Sequence, residues 1–176
     1  MAELLRQYPG ARRTLFRNHH IGGCSSCGFR DEETLAEVCA RNEGLTVAAV
    51  IEELRLSHEE DLRHLIEPAE VNRLIDGGTP PRLLDIRTRE EFEAVRIPGS
   101  QLFTQEGMQE AFAEWPKHDP VVVYDHTGTR ALDAAAFFTG HGFTAVRALR
   151  GGIDAYSEEA DPGLPRYTLE PAGAAS

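Results

Sequence analysis

Short apolar segments alternate with amphipathic ones over residues 62–157, and this alternation constrains the fold more than any other feature of the chain. The clearest strand is Val121–Tyr124, which is apolar throughout, as expected of a strand buried on both faces of a parallel sheet. Further strands are predicted at residues 82–86 and 143–146, with helical segments between the strands. Strands that alternate with helices require right-handed crossovers, so we expect an α/β domain whose parallel sheet is covered on both faces.

Local signals place the helices of this domain. Pro68 suits the first turn of a helix over residues 68–75, which Gly77 and Gly78 end. Thr88 and Glu91 have capping-box spacing and open a short helix. Helices are also predicted at residues 108–112, 130–140 and 153–157.

Residues 1–57 lack strand-like alternation and are predicted to be nearly all helix. One helix is expected over residues 31–41, opened by acidic residues, and another from Thr46 to Leu54. We place a polar boundary at residues 57–61. The domains are then a helical unit at 1–58, an α/β unit at 59–167 and a flexible tail at 168–176. The helical unit has fewer than 60 residues and buries little core alone, so a metal, the second domain or a homodimer is expected to support it.

The formal charge is −11, from 18 basic and 29 acidic residues. This balance argues against nucleic acid or an anionic membrane as the main partner. Residues 1–30 are the exception, with five Arg against one Glu, which indicates an anionic ligand, an acidic partner or an ordinary mixed surface. No apolar run approaches the roughly 18 residues of a spanning helix, and no signal-peptide core is present. We therefore expect a soluble, cytoplasmic protein.

The tight segment after Val121–Tyr124 is the first candidate site. In open α/β sheets, ligands bind beyond the carboxyl ends of the strands. A tight loop that enters a helix directs several backbone N–H groups inward and forms an anion-binding loop, reinforced by the helix dipole. The candidate loop residues are Asp125, His126, Thr127, Gly128, Thr129 and Arg130.

Four short motifs occur in order around the loop: Leu83-Leu84-Asp85-Ile86-Arg87, Glu90-Glu91-Phe92, Ile97-Pro98-Gly99-Ser100 and Leu149-Arg150-Gly151-Gly152-Ile153. Together with the loop, they resemble the ordered landmarks of a rhodanese domain over roughly residues 60–167. The six-residue loop also matches rhodaneses better than the longer loop of the related phosphatases. The resemblance implies a five-stranded parallel sheet and transfer of sulfane sulfur through a cysteine persulfide.

The departure from the family pattern lies at the first loop residue. The family has Cys-x-x-x-x-Arg, whereas this chain has Asp125 followed by Arg130. A thiolate can hold a sulfane sulfur as persulfide, but a carboxylate is a hard, weak nucleophile. We therefore expect no rhodanese-type sulfur transfer at this loop. Three interpretations of the loop remain open. It is an inherited scaffold in which Asp125 only caps the following helix, a binding pocket without chemistry, or a site where another group carries out catalysis. Ion pairs of Arg87 with Asp85 and of Arg130 with Asp125 are expected at the loop, with ordinary surface salt bridges as the open alternative, and His126 is expected to be exposed to solvent.

All three cysteines lie in the first 40 residues, which suggests thiol or metal chemistry in a reducing compartment. Cys24 and Cys27 have the C-x-x-C spacing that binds one metal or forms a redox dithiol. Metal ligation, redox or persulfide-carrying chemistry and a purely structural role all remain open. Cys39 is at a helical core position and is expected to be a small buried hydrophobe. The candidate metal ligands are Cys24, Cys27, Cys39 and His20, with His19 as the alternative to His20, and the candidate groups are an iron–sulfur cluster or zinc.

The segment around this C-x-x-C resembles the small helical domain associated with redox-disulfide, hybrid-cluster-associated proteins. The matching residues are Ile21-Gly22-Gly23-Cys24-x-x-Cys27 and Glu33-Thr34-Leu35. Together the two resemblances imply an accessory protein of sulfur trafficking or iron–sulfur cluster assembly, with a sulfur-carrier or cluster-assembly protein as partner. The alternatives are a sulfurtransferase that uses Cys24 or Cys27, and a purely structural interaction protein.

Overall fold

A computed structural model describes residues 1–22 and 28–167 of the chain. The chain divides into two compact units, Met1–His64 and Leu65–Ser176. The division falls later than the predicted boundary at residues 57–61, which lie inside the helix Val47–Arg63. Of the polar residues that suggested a linker, Ser57 and Asp61 are buried, and Ser57 accepts a hydrogen bond from Thr14 at 2.8 Å, whereas Glu59 and Glu60 lie on the exposed face. The predicted tail, residues 168–176, lies outside the described residues.

The first unit is helical, as predicted. Its described helices are α1 (Ala2–Gln7), α2 (Ala11–His19), α3 (Leu35–Ala40) and α4 (Val47–Arg63). They enclose a small apolar core that includes Leu15, Val38, Val50 and Leu54.

The predicted start of the third helix at residue 31 is wrong. The helix begins after Thr34, whose side chain accepts the Glu37 N–H while the Glu37 carboxylate accepts the Thr34 N–H. This reciprocal cap satisfies two backbone donors and sets the helix start. Glu33, which was expected inside the helix, pairs instead with the Arg41 guanidinium.

The second unit is an α/β domain with a five-stranded parallel sheet, which confirms the predicted fold class. The strand order is β1-β5-β4-β2-β3, and every pair is parallel. The strands are β1 (Leu65–Ile66), β2 (Arg82–Asp85), β3 (Gln101–Leu102), β4 (Val121–Tyr124) and β5 (Val146–Leu149). The helices between and after them are α5 (Pro68–Asp76), α6 (Arg89–Ala94), α7 (Gln105–Glu114), α8 (Thr129–Gly140) and α9 (Gly152–Glu159).

Strand β4 lies at the centre of the sheet, and all four of its residues are buried. Val121 and Val123 belong to one apolar cluster, and Val122 and Tyr124 belong to the other. Because successive strand residues point to opposite faces, this division shows that both faces of the sheet are covered. The continuous apolar run is therefore explained by burial on both faces.

The predicted caps of this domain are confirmed, but one strand is displaced. Pro68 lies in the first turn of α5, and Thr88 with Glu91 forms a capping box on α6. The strand predicted at residues 143–146 begins only at Val146. Phe143 is buried in an apolar cluster ahead of the strand, and the exposed Arg147 within the strand broke the apolar pattern. In the part of the chain that the structure describes, no helix is both long and apolar enough to cross a membrane.

Candidate functional site

The loop of residues 125–130 leaves the carboxyl end of β4 and enters α8. The neighbouring strands β2 and β5 end at the same edge of the sheet because all three strands are parallel. Asp125, the first loop residue, is only 3% exposed. The candidate loop therefore lies where open α/β sheets bind ligands, with its carboxylate turned into the protein.

Both carboxylate oxygens of Asp125 accept backbone hydrogen bonds from the same loop. The Gly128 N–H donates to Oδ1 at 2.6 Å, and the Arg130 N–H donates to Oδ2 at 3.1 Å. Gly128 adopts a φ of 85°, a left-handed conformation that glycine adopts without strain. The loop thus folds around a negative charge of its own, using donors that would otherwise face an external anion.

The expected ion pair between the Arg130 side chain and Asp125 is not formed. Arg130 reaches Asp125 through its backbone, and its guanidinium donates to the Ile86 carbonyl at 3.3 Å. Arg130 is the second residue of α8, so its N–H is one of the donors that a helix leaves free at its amino end. Its side chain therefore links the loop to the end of β2.

A second backbone segment packs directly against the loop. The Ile153 N–H donates to the Asp125 carbonyl at 2.9 Å, and the Asp154 N–H donates to the His126 carbonyl at 3.1 Å. Gly152 has a φ of 63°, and a Cβ there would lie 2.4 Å from the His126 carbonyl oxygen. Glycine is needed at this position by both its conformation and its space. The sequence indicated a loop here, but not that it holds the 125–130 loop in place.

The His126 ring is half-buried rather than solvent-exposed as predicted. It packs against the Tyr167 ring with centroids 4.6 Å apart. Its Nδ1 is buried and has no hydrogen-bond partner among the residues described. A cavity of about 340 Å³ is lined by His126, Asp154, Arg166 and Tyr167. Sequence reasoning missed the last three, because Asp154 lies just beyond the motif of residues 149–153 and the other two lie in a segment without a motif.

Asp85 and Arg87 form a buried ion pair at the end of β2. Their side chains are 0% and 1% exposed, and Arg87 Nη2 lies 2.5 Å from Asp85 Oδ2. Burial opposes the charge of Arg87, yet hydrogen bonds to Asp85 and Tyr167 outweigh it and raise the pKa of the guanidinium. The sequence left open whether this pair would be an ordinary surface salt bridge, and the structure places it in the interior.

Tyr167 connects this ion pair to helix α6. Its hydroxyl accepts from Arg87 Nη1 at 2.6 Å and donates to Glu91 Oε1 at 2.7 Å. Burial and the bond to Glu91 raise the pKa of Tyr167 to about 12, so the hydroxyl stays protonated and able to donate near neutral pH.

The candidate residues of the first unit are only partly described. Cys24 and Cys27 lie outside the described residues. Cys39 is 5% exposed inside the apolar core, and burial raises the pKa of its thiol. This placement fits the small buried hydrophobe that the helical pattern predicted.

The two histidines were alternatives for a metal site. His19 Nε2 lies 2.8 Å from Glu53 Oε2, so that nitrogen is already engaged. His20 has a left-handed φ of 58°, and its ring meets Phe16 edge to face. Within residues 1–22 and 28–167, no three His, Cys, Asp or Glu side chains are arranged to hold a metal ion. The described residues alone therefore do not make up the predicted ligand set.

Comparison with known sequences decides the family of the second unit. The sequence model of the rhodanese-like domain matches residues 67–159, which is more than half of the chain. The chain belongs to the rhodanese-like domain family. The resemblance seen in the sequence motifs is thereby confirmed for this range.

Two relatives that match the rhodanese-like domain are named as sulfurtransferases. Probable adenylyltransferase/sulfurtransferase MoeZ of Mycobacterium tuberculosis is 32% identical over 104 residues, which cover 58% of this chain and 26% of MoeZ. Thiosulfate sulfurtransferase GlpE of Pseudomonas aeruginosa is 30% identical over 89 residues, which cover 51% of this chain and 79% of GlpE. The chain thus spans about a quarter of the length of MoeZ.

Solved structures agree on the rhodanese-like fold. The rhodanese-like domain of an Anabaena protein superposes with a TM-score of 0.50 at 18% identity, covering 64% of this chain and 92% of that domain. A Rhodopseudomonas palustris protein of unknown function, described as a possible tyrosine phosphatase, has a TM-score of 0.50 at 25% identity, covering 61% and 88%.

Proposed function

We propose that this protein acts in sulfur trafficking or iron–sulfur cluster assembly as a rhodanese-like binding module whose own loop does not carry sulfur. The observation that carries this proposal is the position and bonding of Asp125. It stands first in the loop, where the family pattern has the cysteine, and both of its oxygens accept loop N–H groups. The names of the relatives support the setting in sulfur chemistry.

The chemistry of the two side chains supports the loss of transfer. In the family reaction, a thiolate attacks the outer sulfur of thiosulfate, sulfite leaves, and the resulting persulfide passes its sulfur to an acceptor such as cyanide. A carboxylate is a weak nucleophile toward sulfur and forms no comparable stable adduct. Asp125 is also 3% exposed, so its oxygens are poorly placed to attack a substrate.

Electrostatics supports the same conclusion for binding. Hydrogen bonds from backbone N–H groups to a carboxylate are stronger than those to a neutral acceptor. An entering thiosulfate would have to displace the carboxylate from the Gly128 and Arg130 N–H groups and then remain beside its charge. The module is therefore proposed to bind its partner, a sulfur-carrier or cluster-assembly protein, through other surfaces.

Thiocyanate formation from thiosulfate and cyanide tests this proposal. The wild-type protein should stay at the background rate, and Asp125→Cys should gain turnover, because a thiolate would then stand at the family's nucleophile position. Asp125→Ser is the matched control, since it supplies a small polar side chain without sulfur. Turnover by a variant that keeps the wild-type 125–130 loop but has Cys24, Cys27 and Cys39 all replaced by Ser would contradict the proposal.

We propose a second activity for the first unit, thiol or metal chemistry at Cys24 and Cys27. Their C-x-x-C spacing supports it, because two thiolates at this separation can bind zinc or an iron–sulfur cluster, or form a redox pair that carries persulfide. The buried Cys39 leaves these two as the candidate reactive thiols. Metal and sulfide analysis of the purified protein, with Cys24→Ser and Cys27→Ser as comparisons, distinguishes these forms. Wild-type protein without metal, sulfide or reactive thiols would contradict this second proposal.

A further inference from the structure

After α9 the chain reverses direction, and residues 164–167 lie beside the 125–130 loop. We call residues 164–167 the strap. Ser157 Oγ donates to the Leu164 carbonyl at 2.7 Å and holds the beginning of the strap. Leu164 and Tyr167 pack at the margin of an apolar cluster without being fully buried. The strap is therefore anchored on the domain, but it is not part of the fully buried core.

Three polar contacts hold the far end of the strap. Arg166 Nε and Nη2 each lie 2.8 Å from an oxygen of Asp154, and Arg166 Nη1 lies 3.3 Å from Glu158 Oε2. The Arg166 side chain is 48% exposed and the two carboxylates are 31% and 61% exposed, so water and salt weaken both ion pairs. The third contact is the Tyr167 hydroxyl, bonded to Arg87 and Glu91.

The strap can separate without dismantling the interior. If Tyr167 leaves, Arg87 keeps its bonds to both oxygens of Asp85 and its 2.6 Å bond to the Val95 carbonyl. The buried charge therefore remains paired, and the large penalty for an unpaired buried ion does not arise. Segments held by few buried contacts open locally at free energies well below that of global unfolding.

The strap covers a group that has no partner in the described structure. His126 packs under the Tyr167 ring, and its Nδ1 is buried without a hydrogen bond. A buried polar atom without a partner is destabilising, so the closed state carries a penalty that opening would relieve. The cavity of about 340 Å³ beside His126 shows that the strap is not closely packed there.

We propose that the strap is a lid that opens by local unfolding and controls access to Nδ1 of His126, beside the 125–130 loop. The closed lid buries this nitrogen, and the open lid exposes it as a hydrogen-bonding group next to the loop. The lid works whether or not the loop carries sulfur, so it stands independently of the function proposed above.

Modification of His126 by diethyl pyrocarbonate, located by mass spectrometry, tests the lid. The exposed His118 serves as the internal reference for reagent reactivity. Arg166→Gln removes the ion pairs with Asp154 and Glu158 and should raise the His126 rate about two- to fivefold. Adding Tyr167→Phe, which keeps the ring but loses both hydroxyl bonds, should raise it about tenfold. Arg147→Gln is the matched control, because Arg147 is also 48% exposed and pairs with Glu70 away from the strap.

Hydrogen exchange of the β4 amides in the same samples shows whether the core stays closed. Faster modification of His126 with unchanged exchange in β4 supports a separable lid. An unchanged His126 rate in the double variant contradicts it, as does exchange in β4 that rises together with the His126 rate. In wild-type protein, 1 M salt should accelerate His126 modification, and this acceleration should be smaller in Arg166→Gln. A salt effect of equal size in both proteins would contradict the assigned role of Arg166.

Discussion

The Arg87 guanidinium and the Asp85 carboxylate form an ion pair with almost no exposure to water at the carboxyl end of β2. Asp85 Oδ1 also accepts the Arg87 backbone N–H at 2.9 Å, so the pair closes a tight turn as well as neutralising a buried charge. Because Arg87 also bonds Tyr167 and the Val95 carbonyl, this turn connects the sheet to the segment after α6 and to the strap.

Replacing Arg87 by Met should destabilise the protein strongly. The change leaves the Asp85 carboxylate buried and without its cation, and breaking a buried pair in this way costs about 3–5 kcal/mol. Urea unfolding followed by circular dichroism measures the loss. Arg147→Met is the control, since its exposed pair with Glu70 should contribute about 1 kcal/mol or less. An equal loss of unfolding free energy in the two variants would show that the buried Arg87–Asp85 pair contributes no more than the exposed Arg147–Glu70 pair.

Gly152→Ala should destabilise the protein and loosen the 125–130 loop. Alanine there meets the His126 carbonyl oxygen at 2.4 Å and adopts a left-handed backbone, together costing about 2–4 kcal/mol. Gly142→Ala is a matched control, because Gly142 has a φ of 90° but no atom within 4 Å of its Cβ position. The difference between their free energies of unfolding measures the contact with the loop. If the two variants lose the same free energy of unfolding, a Cβ at residue 152 does not collide with the His126 carbonyl oxygen.

The Glu33 carboxylate should titrate far below other glutamates. Hydrogen bonds from the Arg41 side chain and the Arg30 backbone lower the pKa of Glu33 from 4.5 to about 2. Since the folded-state pKa is depressed, the contribution of Glu33 to stability is complete above pH 4.5 and is lost as the pH falls through about 2. Carboxyl NMR titration measures this pKa directly.

Arg41→Gln should return the pKa of Glu33 toward 4.5, because Arg41 supplies the largest part of the shift. Arg55→Gln, which removes a cation paired with Glu52 and Glu59, should leave Glu33 unchanged. A Glu33 pKa that stays low in Arg41→Gln would show that the Arg41 side chain is not the main cause of the shift.

Cys39 should resist alkylation in the folded protein. Its thiol is 5% exposed, and burial raises its pKa, so the reactive thiolate is scarce. Treatment with iodoacetamide and peptide mass spectrometry should label Cys39 only after denaturation. Rapid labelling under native conditions would mean that the third helix packs differently, and it would reopen Cys39 as a functional thiol.

Sequence reasoning predicted the α/β domain well because its signals are local. The apolar run of β4 and the capping box of Thr88 and Glu91 depend on neighbouring residues, and both agree with the structure. The 125–130 loop was also recognised as the candidate site from its place after the buried strand. These features follow from burial and backbone capping, which a sequence displays directly.

Features set by distant contacts were not visible in the sequence. Tyr167 lies 80 residues beyond Arg87 along the chain, and nothing near Tyr167 indicates that contact. Ser57 is polar and was predicted to lie in a linker, although its hydrogen bond with Thr14 holds it on the buried face of α4. In both cases a polar side chain finds its partner only through the tertiary fold, which local periodicity does not encode.

The occupancy of the 125–130 loop by Asp125 is tested most directly by soaking crystals in thiosulfate. Wild-type crystals should show no anion bonded to the loop N–H groups, because both oxygens of Asp125 already accept them. Crystals of Asp125→Ser, which lacks the charge, should bind thiosulfate there. Thiosulfate bonded to the Gly128 and Arg130 N–H groups of the wild-type protein would contradict the account.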